Sequence, residues 1–128
     1  MPIPDARLKE QLLELARAPL APIDLAAYTW QEVVPGVRFH LMARDPGRGL
    51  QAGLIWARPG AKHPRHRHRG EEVVLVLQGR FRDERGSYGP GDICRSLEGS
   101  VHSEAVEGAE DCICYVLYYG ALEALPDE

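Results

Sequence analysis

His66 and His68 stand two residues apart in the run P-G-A-K-H-P-R-H-R-H-R-G-E-E-V-V-L-V-L-Q-G, from Pro59 to Gly79, and Glu72 follows four residues after His68. Successive side chains of a strand point to opposite faces, so His66 and His68 share one face while Arg65, Arg67 and Arg69 share the other. A further histidine, His102, follows His68 by thirty-four residues in S-L-E-G-S-V-H. Three imidazoles and one carboxylate are a donor set for a divalent ion, suited to zinc, iron, manganese, nickel or cobalt. The expectation is that His66, His68, Glu72 and His102 hold one such ion inside a small β-barrel. Four protein ligands can close a tetrahedral zinc site or leave two positions open on an octahedral ion, so the ligands alone do not choose between a structural and a reactive metal.

Neighbouring residues carry weaker signals. His63 lies three residues before His66, and strict alternation places it on the opposite face unless Pro64 breaks the pattern. A histidine at the barrel mouth or in solvent is expected there, not a fifth ligand. Glu71 should point away from the metal, paired with an arginine, and His40 should be structural. Cys112 and Cys114 share a strand face and read as a small apolar pair in the core, with Cys94 buried as well. Nothing in the sequence assigns a catalytic residue: no Ser-His-Asp arrangement, phosphate loop or paired-carboxylate signature stands out.

These side chains need a scaffold of short strands. Residues 5–18 read as a helix, with Asp5 as its cap, Leu8, Leu12 and Leu15 at helical spacing, and Pro19 and Pro22 as its stop. Strands are expected over 30–34, 38–43, 51–57, 63–69, 73–77, 80–83, 91–96, 101–106 and 112–119, separated by turns such as Pro35-Gly36 and Gly89-Pro90-Gly91. Many short strands at regular spacing suggest a jelly roll or barrel. The division is an N-terminal helix and linker over 1–29, a barrel over 30–120 and a C-terminal tail over 121–128. The run 73–77 is apolar on both faces. The face turned away from the interior must be covered by the second sheet, the helix or another subunit, which points to a homodimer.

Composition sets bounds. The chain has 128 residues, enough for one domain with a real core, with 45% hydrophobic and 27% charged residues. A net charge of −4 argues against a polyanion partner. The basic run from Lys62 to Arg69 lacks interleaved aromatics, so it reads as a solvated outer strand face and not as a nucleic-acid surface. Three cysteines without a signal-like start argue against a disulfide framework, and the apolar run 112–119 is too short to span a bilayer. A cytoplasmic protein with no membrane partner is expected.

The spacing from Gly60 through His66-Arg67-His68 and Glu72 to Gly79 resembles the first cupin motif. Gly91, Gly99 and His102 resemble the second, with Leu97 where proline is usual and Ala105 and Val106 where asparagine is usual. The resemblance implies an all-β cupin (RmlC-like) fold, a double-stranded β-helix or jelly-roll barrel with a short N-terminal α-helix. The doubled Glu71-Glu72, the run V-L-V-L-Q-G-R-F-R-D-E-R-G-S-Y-G-P-G-D and E-G-S-V-H are similar to the ChrR-like cupin domain of anti-sigma factors. That likeness implies that His66, His68, Glu72 and His102 bind a metal, zinc first. In that family the barrel follows a zinc-binding domain that holds a sigma factor. Here about thirty residues precede the barrel, without cysteine or histidine, which argues against sigma-factor inhibition. The implied function is a regulatory or sensor domain that binds a divalent metal and a small molecule in the barrel. A metal-dependent small-molecule enzyme, a dioxygenase or isomerase, is the alternative.

Overall fold

The computed structural model describes Glu10 and residues 24–126. The helix expected over 5–18 therefore lies, but for Glu10, outside the described residues. A single 3₁₀ turn, Leu25–Ala27, precedes the barrel, with the Asp24 side chain accepting from the Ala26 N–H. Strands follow in the order β1 (Gln31–Val34), β2 (Val37–Asp45), β3 (Leu50–Ala57), β4 (Lys62–His68), β5 (Glu72–Gln78), β6 (Arg80–Asp83), β7 (Gly86–Tyr88), β8 (Ile93–Ser96), β9 (Val101–Glu107), β10 (Cys112–Tyr119) and β11 (Leu122–Ala124). Two of these fall outside the nine expected strands. β7 lies in the stretch between the strands expected over 80–83 and 91–96, and β11 lies in the segment assigned to the tail, paired with β4.

All pairings are antiparallel and form two sheets, ordered β1-β2-β3-β10-β5-β8 and β11-β4-β9-β6-β7. This is the all-β, double-sheet jelly-roll architecture expected from the strand spacing. The chain changes sheet between β5 and β6 at Gly79, whose φ is +76°. A Cβ there would also meet the Asp111 carbonyl oxygen at 2.4 Å, so glycine is required on both counts.

The central strands β10 and β5 of the first sheet are buried on both faces. Val74, Val76, Cys112, Cys114 and Val116 point into the sandwich with Phe81 and Cys94. Leu75, Leu77, Leu54, Ile113 and Leu117 point outward, under Leu25, Tyr28, Trp30 and Trp56. The apolar face of β5 that suggested a second subunit is thus covered within this chain, and Leu75 and Val76 are fully buried. His40 is structural: its Nδ1 lies 2.8 Å from the Thr29 carbonyl, and its ring packs on Tyr28.

Candidate metal centre

Strands β4 and β9 of the second sheet are antiparallel neighbours, and His66 stands directly opposite His102 in their register. His68, two residues along β4, shares the inward face with His66. All three rings are buried, whereas Arg67 and Arg69 on the outer side are exposed and pair with Glu123. Two backbone bonds hold the far end. The His68 N–H donates to the Ser100 carbonyl at 2.9 Å, and the Gly99 N–H donates to the His68 carbonyl at 2.7 Å. Gly99 takes φ +87°, which lets the turn reach across β4 before β9 begins.

The structure brings His66, His68 and His102 together, with ring nitrogens all within 4.8 Å of one another. The Nε2 atoms of His68 and His102 are 2.9 Å apart. Two ligands each about 2.0–2.1 Å from one ion stand roughly 2.9–3.4 Å apart for angles between octahedral and tetrahedral, so this separation suits a shared metal. The Nδ1–H of His66 donates to the Pro64 carbonyl at 2.7 Å, which leaves Nε2 as the lone-pair nitrogen. That Nε2 is buried with no hydrogen-bond partner, as is Nδ1 of His68. An orphaned buried polar atom costs about 1–3 kcal/mol, which a bound cation at His66 Nε2 would offset. The residues present therefore fit a divalent ion.

Asp83, at the end of β6, fixes the third ring. Its Oδ2 lies 3.0 Å from His102 Nδ1, and its side chain is entirely buried. A carboxylate on the far nitrogen of a metal-binding histidine sets the tautomer and aims Nε2 inward. Burial opposes ionisation of Asp83, but hydrogen bonds from His102 and Arg85 outweigh it and hold the carboxyl below its ordinary range. Glu84 clamps the same stretch of β9, accepting from the Ser103 N–H at 2.9 Å and the Ser103 hydroxyl at 2.6 Å.

Glu72 opens β5 in the opposite sheet, buried and across from Ser96 and Tyr118. It stands outside the cluster formed by the three histidines. Burial, reinforced by the charge of Glu104, pushes its carboxyl up to about 8. Burial also lowers the His66 imidazole and, with His102 nearby, takes His68 down to about 4. For His102 burial pulls down, but Glu104 and Asp83 prevail and raise it to about 9. In the absence of metal, a proton on His102 thus takes the place of a cation.

Two residues of the centre escaped the sequence reading. Glu104 follows His102 by two positions on β9, so alternation alone could have found it. Asp83 gave no such signal, because only the tertiary pairing of β6 with β9 brings it to His102. His63 departs from strict alternation. A register shift between His63 and His66, around Pro64, turns it to the inner side. There it stacks on His66 at 4.2 Å between ring centroids and lines the mouth of a pocket. Glu71 behaves as expected: it is buried away from the histidines and accepts from Arg95 Nε. Cys94, Cys112 and Cys114 are free and buried, with the last two sulfurs 3.7 Å apart. Burial raises the Cys94 thiol to about 11, and Cys114 is raised by its contact with Cys112 and by burial, so both stay protonated near neutrality.

A pocket of about 590 Å³ opens beside Glu72, lined by His63, Gln51, Phe39, Val116 and Tyr118. Among the described residues no helix is long and apolar enough to cross a membrane.

Comparison with known proteins gives concordant results. Residues 20–122 match the family described as the ChrR cupin-like domain. The chain is 37% identical over 121 residues to anti-sigma-E factor ChrR of Cereibacter sphaeroides, covering 85% of this chain and 56% of that protein. The chain thus spans little more than half the length of that relative. The structure of Rhodobacter sphaeroides SigE in complex with anti-sigma ChrR superposes with a TM-score of 0.66 at 32% identity, over 92% of this chain and 69% of that one. An RmlC-like cupin protein from Ralstonia eutropha gives a TM-score of 0.71 at 26% identity, over 84% and 73%. An acetylacetone dioxygenase from Acinetobacter johnsonii shares the fold, with a TM-score of 0.69 at 15% identity, over 84% and 78%.

Proposed function

The chain belongs to the ChrR cupin-like domain family, and from that membership we propose that it is a regulatory or sensor barrel that binds one divalent metal and a small molecule. His66, His68, His102 and Glu72 are the proposed ligands. The observation that carries the reading is the meeting of three buried imidazoles, one of them with an unpartnered Nε2 and another held by Asp83. Zinc is the proposed resident ion, because imidazole and carboxylate donors suit it and it needs no redox partner. Iron, manganese, nickel and cobalt suit the same donors. Bound there, the ion would offer a Lewis-acidic centre whose affinity reports on whatever enters the adjoining pocket.

The chain's own residues would do the rest. Asp83 keeps His102 aimed inward, the Pro64 carbonyl does the same for His66, and the apolar wall of Phe39 and Val116 favours a ligand with an apolar body. The proposal concerns the barrel and does not extend to sigma-factor binding, which the solved complex shows for ChrR itself. A homodimer and a cytoplasmic location are part of the same reading.

A second reading is supported by the pocket beside Glu72, whose size is sufficient for a small substrate. On that reading the barrel is a metal-dependent enzyme of the dioxygenase or isomerase kind. Assays of zinc-, iron- and manganese-loaded protein against β-diketones and flavonols separate the two. The sensor reading expects silence with every metal; turnover with any one overturns it.

A further inference from the structure

Glu104 is a carboxylate that the proposed four-ligand set does not use, yet it lies nearer to the histidines than Glu72 does. Its Oε1 is 3.2 Å from His102 Nε2 and 3.5 Å from His66 Nε2, on the two histidines paired opposite each other in β4 and β9. We propose that Glu104 is an additional ligand of the bound ion, which makes the centre three imidazoles and two carboxylates. This inference rests on the metal-centre reading above.

With a metal–oxygen bond of up to about 2.2 Å, a nitrogen and an oxygen on one ion stand roughly 2.8–3.5 Å apart for angles between octahedral and tetrahedral, which spans both separations. Alternation along β9 gives the direction, since residues two apart share a face. The strand is held in place around Glu104 by the Glu84 clamp on Ser103. Charge gives the motive. Three neutral imidazoles leave both charges of a divalent ion uncompensated in a buried site, and Glu72 cancels one. Glu104 cancels the other. His63 Nδ1 lies 3.7 Å from the same Oε1, and His63, His66 and Glu104 bring donor atoms within 4.8 Å of one another.

Cobalt(II) is the probe. Loaded into wild-type protein, it should give the weak visible bands of five or more ligands. In Glu104→Gln the bands should intensify as a ligand is lost. Cobalt affinity should then fall by about 100-fold or more, beyond the roughly 10–100-fold of a substitution one step behind the ligands. Glu107→Gln, at the end of the same strand and bonded to Ser87, should change neither. If wild-type protein takes up no cobalt, the metal-centre reading falls and this inference with it. If wild type binds and Glu104→Gln matches it in spectrum and affinity, this inference alone is overturned. Should Glu104→Gln fail to fold, Glu104→Asp takes its place: cobalt bands and affinity changed from wild type support the extra ligand, and bands and affinity unchanged, or intense four-coordinate bands in wild type, refute it.

Discussion

Strands β10 and β4 contribute to the same interior in opposite ways. β10 buries Cys112, Ile113, Cys114, Val116 and Leu117, which satisfy each other by packing and ask for nothing further. β4 buries His66 and His68, which bring nitrogens without partners into the same sandwich. The first half of the barrel is stabilised by apolar burial, at about 25 cal/mol per Å². The second carries a polar cost that becomes favourable only when a cation gathers the nitrogens. On the metal-centre proposal, one fold holds a region whose stability is independent of metal beside one whose stability depends on it.

That contrast can be broken from either side. Leu75→Ala, at a fully buried position of β5, should cost about 2–5 kcal/mol in a denaturant melt, equally with and without chelator. A cost that appears only in the metal-bound protein would merge the two regions. Chelation of wild type should cost about 3–4 kcal/mol if free metal stood at 100–1,000 times Kd. His66→Ala should remove that chelator sensitivity, as thermal melts would show. Asp83→Asn should weaken metal binding about 10–100-fold by titration, with the fold intact by circular dichroism. Unchanged affinity would mean that Asp83 does not orient His102.

Protons sharpen the contrast further. His68 titrates near 4 in the folded metal-free chain, against about 6.5 when unfolded. Its folded value is depressed, so the associated stability is intact above about 6.5 and drains away as pH falls toward 4. Urea melts of chelated protein between pH 6.5 and 4.5 should show that loss as the difference between wild type and His68→Gln, because Glu72, raised to about 8, gains stability over the same range and opposes it in wild type alone. At pH 7 the folded metal-free chain holds protons on Glu72 and His102, raised to about 8 and about 9. Metal uptake should then release about two protons, readable from the buffer dependence of the binding heat. No proton release would mean that neither group meets the ion.

Much of this was legible in the sequence because it rests on local periodicity. The H-x-H spacing put His66 and His68 on one face, and the strand rhythm gave nine of the strands and the jelly roll. What escaped depends on tertiary register. The shift around Pro64 swings His63 inward, β6 carries Asp83 to His102, and β11 pairs with β4; none of these has a period to read. The covering of β5 by Trp30 and Trp56 likewise required the chain path. Glu104 was within reach of simple alternation from His102.

The most direct measurement is the metal content of protein purified without added metal, by elemental analysis, for wild type beside His66→Ala and His102→Ala. The account predicts about one divalent ion per wild-type chain and almost none in either variant. Metal-free wild type whose thermal melt ignores both chelator and added zinc would contradict it.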